Sequence, residues 1–271
     1  AGNAIASGAH KNLAIGHQAL YQADAVDNSI AIGYQALGGT DAGTCGDNIA
    51  IGNSAMVANM THVTRSIGIG SSALGSLQGA TTPSNNIGIG YNAGGEAMGE
   101  GGGNAITGGS NTAVGQGAMY QAEGAVANNV AVGANAMLDV TTGSGNVAVG
   151  MQAGYNITDN ADNVIVGYEA FFTANSGENE NVVIGKHAGY YIDNASADEN
   201  IIIGKGAGQG GSGDLSGCVV IGSNAMDATG SNDHTGTIAI GHQSLTDLTS
   251  GAKNTAIGYH SAGNITTGSE S

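Results

Sequence analysis

A five-residue segment ending in glycine recurs along this chain and constrains its fold more than any other feature. Typical copies are Asn12-Leu-Ala-Ile-Gly16 and Asn129-Val-Ala-Val-Gly133. Successive glycines lie 17 to 20 residues apart, with one interval of 25, and they are Gly16, Gly33, Gly52, Gly70, Gly90, Gly115, Gly133, Gly150, Gly167, Gly185, Gly204, Gly222, Gly241 and Gly258. Apolar residues therefore repeat every two positions within short runs and every ~18 between runs, which predicts short strands stacked coil upon coil.

We therefore predict an all-β chain that forms a parallel β-solenoid, or β-roll, of about 14 coils of ~18 residues. We expect one repeat domain spanning residues 1–271. Glycine occurs 50 times, phenylalanine twice and tryptophan never, so the core must be thin. Such a core depends on stacking or on partner chains for its stability. Neither end of the array resembles a polar cap, so we expect further protein or another subunit to continue the stack.

Two positions of the repeat carry large apolar side chains, and we predict that both point into the coil. The position three before the glycine is Leu, Ile or Val except at Thr112 and Thr255. β-branched residues at alternate positions suit one face of a strand. The position directly before the glycine is always Ile or Val: Ile15, Ile32, Ile51, Ile69, Ile89, Val114, Val132, Val149, Val166, Ile184, Ile203, Ile221, Ile240 and Ile257.

The position between these two columns is also apolar, usually Ala, as in Ala31 and Ala50. A strand that is apolar on both sides is usually covered on both sides. We therefore expect this small column to face outward and to pack against an identical chain.

The rest of the repeat predicts how each coil is completed. Asn stands four before the glycine in ten copies and predicts a hydrogen-bonded ladder between coils. The glycine suits a turn with positive φ. Leu or Met often follows four positions later, as at Leu20 and Met137, and predicts a second short strand before a variable polar loop.

The segment Ala31-Ile-Gly-Tyr-Gln-Ala-Leu37, like Thr255-Ala-Ile-Gly-Tyr259, resembles the repeat arrays of bacteriophage tail fibres. The pattern is also similar to the head repeats of trimeric autotransporter adhesins, and the likeness covers essentially the whole chain. The resemblance implies a left-handed roll with three chains around one axis, and a role in attachment to a host surface. The coils are nearer 18 residues than the 14 of the adhesin heads, which favours the tail-fibre type.

The charge of the chain excludes some partners. Five Lys and Arg residues against 21 Asp and Glu give a formal net charge of −16, which opposes binding to nucleic-acid phosphates or anionic membranes. Because no apolar run reaches 18 residues, we expect no membrane insertion. Cys45 and Cys218 lie about nine coils apart in the predicted stack, beyond the ~7 Å between Cα atoms that a disulfide allows. Their redox state is left open.

No motif in the sequence predicts catalysis or a cofactor. Residues 88–94 resemble a nucleotide-binding loop, but the same glycine recurs in every coil without a following helix. The acidic loops at 159–162 and 193–199 could hold Ca²⁺, although solvated loops are the simpler interpretation. The histidines at His17, His187 and His242 occupy corner positions without metal-binding spacing.

We expect a structural, adhesive, non-enzymatic protein of a phage tail or a microbial surface, whose partners are its own copies and a host-surface glycan or protein. Tyr34, Tyr91, Tyr168 and Tyr259 share the position after the glycine, and they are either a receptor-facing corner or a stacking ladder. The alternative is a subunit of a self-assembling extracellular filament. An ice-binding solenoid, which would need a Thr column, and a glycan-depolymerising tail spike are more distant alternatives.

Overall fold

The computed structural model describes residues 10–21, 25–39, 45–57, 62–75, 77, 83–95, 106–175, 177–211, 213–230 and 232–268. The chain divides into two compact units, residues 1–142 and 143–271. Every regular element among the described residues is a β-strand. The described part of the chain holds no helix with the length and apolarity needed to cross a bilayer.

The first unit stacks one three-residue strand from each coil into a parallel ladder. Each strand pairs with the next coil in the same register, so that Ile30 lies opposite Ile49 and Ala31 opposite Ala50. The two-residue strands β2 and β4 form a separate parallel pair on another wall. The strands are β1 (Leu13–Ile15), β2 (Val26–Asp27), β3 (Ile30–Ile32), β4 (Cys45–Gly46), β5 (Ile49–Ile51), β6 (Ile67–Ile69), β7 (Ile87–Ile89), β8 (Thr112–Val114) and β9 (Val130–Val132).

The second unit repeats the same ladder. Val164 lies opposite Val182, and Val166 lies opposite Ile184, so the columns of the sequence repeat are also columns in space. Its strands are β10 (Val147–Val149), β11 (Val164–Val166), β12 (Val182–Ile184), β13 (Ile201–Ile203), β14 (Val219–Ile221), β15 (Ile238–Ile240) and β16 (Thr255–Ile257). Parallel strands about one coil apart in sequence confirm the predicted β-solenoid.

The prediction of which columns point inward was wrong. In β12, Val183 is buried, whereas Val182 and Ile184 on either side are half-buried. The same pattern holds in β3, where Ala31 is buried between Ile30 and Ile32. The middle, mostly small column therefore faces the core of its own coil, and the large Ile and Val columns face outward. The inferred packing of another chain on the small column is overturned with it.

The small column faces inward because other side chains already fill the narrow coil. The residue four after the glycine is buried in most coils, as Leu37, Met56 and Phe171 are. A Cβ added at Gly68 in the middle column would lie 2.7 Å from Cγ of Met56. An interior packed this closely leaves room for only a small or matched side chain on the strand.

The Leu and Met column forms tight turns, contrary to the predicted second strand. Leu20 has φ of 54° and Gln18 has φ of 56°, both in the left-handed region. The amide of Ala19 donates to the carbonyl of Gly16, and that of Tyr21 to Gln18, so two turns follow each other. The amide of Leu20 also donates to the carbonyl of Ala36 in the next coil, which holds the turn in the stack.

The predicted asparagine ladder is confirmed. Oδ1 of Asn163 accepts from the amide of Asn181 at 2.9 Å. Its Nδ2 donates to Oδ1 of Asn146 at 3.1 Å and to the carbonyl of Glu178 at 2.9 Å. Asn163 is fully buried, so these bonds satisfy groups that water cannot reach. Ser66 replaces Asn in one coil, where its Oγ accepts from the amide of Asn86 at 3.2 Å and donates to the carbonyl of Thr64 at 3.3 Å.

The repeat glycine is required at its position, as the sequence predicts. Gly185 has φ of +136°, and a Cβ there would lie 2.5 Å from the carbonyl oxygen of Gly204 in the next coil. Both the backbone angle and the close approach of two coils exclude a side chain. Cys45 and Cys218 form no disulfide and are both buried, and burial raises the pKa of Cys218 to about 11.

Candidate interaction surfaces

The outward columns of each sheet form an apolar surface, which we call the Ile/Val face. It comprises the side chains one and three positions before each repeat glycine. Ile15 is 53% exposed and Ile201 40% exposed, and most other members are half-buried. Seven strands at a spacing of about 4.8 Å give each unit a face about 30 Å long. Exposed apolar patches of this extent are typical of interaction sites.

The Ile/Val face lacks charge. Thr112 and Thr255 are its only polar members, and the other positions are Ile, Val or Leu. Charged columns flank the face on both sides. Five before the glycine, the exposed Asp162, Glu180 and Glu199 occupy three successive coils, and one after the glycine the column includes the exposed Lys186 and Lys205. The acidic side chains therefore lie beside the face and not on it. No charged group has to lose its hydration shell when the face is buried in an interface.

A second surface, which we call the aromatic corner, comprises the described residues among those one, two, five and six after each repeat glycine. All nine tyrosines of the chain occupy these positions: Tyr21, Tyr34, Tyr91, Tyr120, Tyr155, Tyr168, Tyr190, Tyr191 and Tyr259. The corner also holds Phe172, whereas Phe171 is buried in the core. The predicted receptor-facing set named four of the nine, because the fifth and sixth positions were not recognised as part of the same corner.

The four predicted tyrosines lie on the surface but do not stack on one another. Their exposed fractions range from 38% to 73%. Tyr34 stacks on His17 with ring centroids 5.6 Å apart, and Tyr259 meets His242 edge-on at 5.4 Å. The four are separated by several coils, and three of them, Tyr34, Tyr168 and Tyr259, contact neighbouring histidines instead. Whether they face a receptor stays a prediction.

In the second unit, residues five positions after the repeat glycine form a stack of aromatic rings. Phe172 lies between Tyr155 and Tyr190, with 5.0 Å between each pair of ring centroids. His187 contacts the edge of Tyr190 at 5.4 Å and lies 5.5 Å from Tyr168. Aromatic pairs at these distances stabilise the stack of coils.

Charged groups flank this stack. Nε2 of His187 lies 3.0 Å from Oε2 of Glu169, close enough for an ion pair but without hydrogen-bond geometry. A hydrogen bond to Glu169 raises the pKa of the exposed Tyr168. Lys186 lies over the ring of Tyr168, 5.3 Å from its centroid.

One acidic side chain is enclosed in the second unit. Glu178 is fully buried, seven residues before its repeat glycine, where the first unit carries Val26, Val63 and Val126. Its Oε2 accepts from Nδ2 of Asn160 at 2.6 Å, whereas Oε1 has no hydrogen-bond partner. Burial raises the pKa of Glu178 from its ordinary 4.5 to about 7.

The acidic loops use their carboxylates to fix the backbone. Oδ1 of Asp159 accepts from the amide of Gly177 at 3.0 Å, and Oδ1 of Asp198 accepts from that of Asn179 at 2.7 Å. Among the described residues, no group of three or more His, Cys, Asp or Glu side chains is arranged to hold a metal ion. Calcium binding by these loops therefore has no geometric support.

Comparison of the chain with protein-family models and with curated protein sequences finds no match. Inference about function therefore rests on the geometry of the Ile/Val face and the aromatic corner.

Proposed function

We propose that the chain is a structural segment of a homotrimeric fibre, belonging to a phage tail or a microbial surface appendage, that presents its corners and loops to a host. The observation that supports this most is the Ile/Val face. Each parallel ladder has one face covered by its own coil and the other apolar face open, whereas parallel sheets are normally covered on both faces. Three such faces turned toward a common axis would cover one another.

The distribution of charge also supports association through this face. The chain carries a formal charge of −16, so random contact between copies is repulsive. The Ile/Val face holds no charged side chain, which makes it the surface where copies can approach at least electrostatic cost. The repeat resembles tail-fibre arrays at Ala31-Ile-Gly-Tyr-Gln-Ala-Leu37, and such fibres act outside the cell.

A double variant tests the interface directly. Val166 and Ile184 lie opposite each other on adjacent strands of the face. Val166→Glu with Ile184→Glu places two carboxylates on it, and we expect the assembly to dissociate to monomers while the far-ultraviolet circular dichroism is unchanged. The matched control is Asp162→Lys with Glu180→Lys, which alters charge in the same two coils outside the face and should leave the assembly intact.

Two results would contradict the proposal. The first is an assembly that persists in the glutamate double variant. The second is an assembly that dissociates equally in the lysine control. Growth into long polymers by the wild-type chain would favour the alternative, a self-assembling extracellular filament. Ice binding has less support, because only Thr112 and Thr255 interrupt the outward Ile, Val and Leu columns.

A further inference from the structure

The aromatic corner of the first unit contains a cavity of about 250 Å³ that the fibre architecture does not require. Its lining comprises Tyr91, Asn92, Gln116, Gly117, Tyr120 and Asn135, from three successive coils. We infer that this cavity is a binding site for a single neutral sugar ring. The inference rests on the proposed function, and it assigns a chemical class to the host-surface receptor of the fibre.

The cavity exists because one coil lacks a side chain at the corner. The second position after the repeat glycine is Asn92 in one coil and Asn135 two coils later, but the coil between them carries Gly117. A Cβ at Gly117 would collide with Oδ1 of Asn135, so the glycine also gives that amide the space it occupies. The result is an opening with an amide side chain on each side.

The lining matches the chemistry of a pyranose. One face of a sugar ring presents C–H groups that pack on aromatic rings, and Tyr91, which lines the cavity, is 57% exposed. Sugar hydroxyls both donate and accept hydrogen bonds. The amides of Asn92, Gln116 and Asn135 do the same, because each has an NH₂ donor and a carbonyl acceptor.

The absence of charge and the size of the cavity narrow the ligand further. None of the six lining residues is charged, which disfavours uronic and sialic acids and favours a neutral sugar. The volume is below the range of about 300–1,000 Å³ typical of sites for drug-sized ligands. One ring therefore fits better than an extended oligosaccharide.

A second cavity in the same unit serves as a contrast. It is larger, about 470 Å³, and its lining includes His62, Arg65, Asn85 and Asn128 but no Tyr or Phe. It offers hydrogen bonds, the positive charge of Arg65 and one imidazole ring, but no phenol or phenyl face. A neutral sugar should therefore prefer the smaller cavity at the corner.

Saturation-transfer NMR of the native assembly tests this inference, with glucose, galactose, mannose and N-acetylglucosamine at millimolar concentration and glucuronic acid as the charged comparison. We expect transfer to at least one neutral sugar and less to glucuronic acid. Gly117→Asn should fill the opening and weaken binding at least tenfold, and Asn tolerates the left-handed backbone there, as Asn92 does with φ of 55°. Tyr91→Ala should abolish transfer by removing the aromatic face.

The matched control is Tyr259→Ala, which removes a tyrosine from the same column in a coil remote in sequence and should leave binding unchanged. Circular dichroism verifies that each variant folds. Transfer to none of the neutral sugars, or equal transfer in the wild type, Gly117→Asn and Tyr91→Ala, would overturn the sugar site. Light scattering on the same samples separates the two proposals, since a trimer that binds no sugar refutes only the site, and a sugar-binding monomer refutes only the fibre.

Discussion

The two units fill the same narrow coil in different ways. In the first unit the inward strand position is Ala or Gly, and most of the bulk comes from the turn, as with Met56 beside Gly68 and Leu74 beside Gly88. In the second unit the inward strand position is large in four coils, at Ile165, Val183, Ile202 and Val220. In two of these coils a glycine takes the turn position, and a Cβ at one of these glycines, Gly208, would lie 3.2 Å from Cγ2 of Ile202. In those two coils bulk on the strand replaces bulk in the turn, as close packing requires.

The units differ also in the loop column that closes the core. The first unit buries apolar side chains there, such as Val63 and Val126. The second unit buries Asn160, Glu178 and His234 in the same column. Asn160 donates to Glu178 in the next coil, and His234 bonds to the carbonyl of Thr229 in its own coil, so hydrogen bonds satisfy part of this polar wall.

The repeat glycine is common to both units and should give the largest effect. Gly90→Ala and Gly185→Ala should each lower the free energy of unfolding by roughly 3 kcal/mol or more, because both have strained φ and meet a carbonyl oxygen of the next coil at 2.5 Å. Urea unfolding measures the loss. Gly258→Ala has the same strain but meets only Cβ of Ser261 at 3.8 Å, so it should lose less. Equal losses at all three positions would refute the role of close approach.

The volume exchange predicts the next largest effect. Ile202→Ala should lower the free energy of unfolding by about 2–4 kcal/mol, because it opens a cavity in a buried site. Adding Gly208→Leu should restore part of the loss, since Leu20 and Leu37 occupy that turn position with φ of 54° and 52°. A double-mutant cycle measures the coupling. Additive losses would show that the two positions do not share one volume.

The asparagine ladder should give a smaller loss. Asn163→Ala leaves the buried amide of Asn181 without its partner and removes one of the two hydrogen bonds to the carbonyl of Glu178, and should lower the free energy of unfolding by about 2–3 kcal/mol. Asn163→Ser should lose less, because a serine oxygen can accept from the next amide as Ser66 does in the first unit. If Ser and Ala are equivalent, the accepted hydrogen bond is not what stabilises the stack.

The buried carboxyl predicts an effect that depends on pH. The pKa of Glu178 is raised in the folded chain from 4.5 to about 7, so the folded state binds its proton more tightly. Its stabilising contribution is complete below about pH 4.5 and is lost as the pH rises through about 7. Glu178→Gln should remove this dependence of the free energy of unfolding on pH and increase stability at pH 8. Thermal unfolding at several pH values measures both changes.

The matched control for the pH dependence of stability is Asp162→Asn, which neutralises an exposed carboxyl in the same unit. It should leave the dependence of stability on pH between 4.5 and 7 almost unchanged. A slope that survives Glu178→Gln, or that disappears in Asp162→Asn, would contradict the assignment to the buried glutamate.

The periodic features of the fold could be predicted from the sequence, because each repeats in nearly every coil. Strand position, parallel register, the asparagine ladder and the glycine turn all follow from columns such as the one containing Asn163 and Asn181. Which side of each strand points into the coil could not be deduced from an alternation of polar and apolar residues, because Val182, Val183 and Ile184 are all apolar. The exchange of volume between Ile202 and Gly208 is the signal that identifies the inner column.

The candidate surfaces were only partly predictable for a related reason. Tyr34 and Tyr91 share a column, so the repeat predicts their common corner. Tyr120 and Tyr190 reach the same corner through the turn after the repeat glycine, and the sequence predicts a strand in place of that turn. The cavity beside Gly117 depends on a residue that is missing from a column. The repeat pattern shows which residues recur at each position, and it does not indicate that a missing side chain opens a cavity.

The molar mass of the native wild-type chain, by light scattering after size exclusion without heat or detergent, tests the central claim most directly. We predict a mass near three times 26.3 kDa, because the Ile/Val face should be covered by two further copies. A stable monomer of 26.3 kDa at all concentrations would contradict it, since the open apolar face would then have no partner among its own copies.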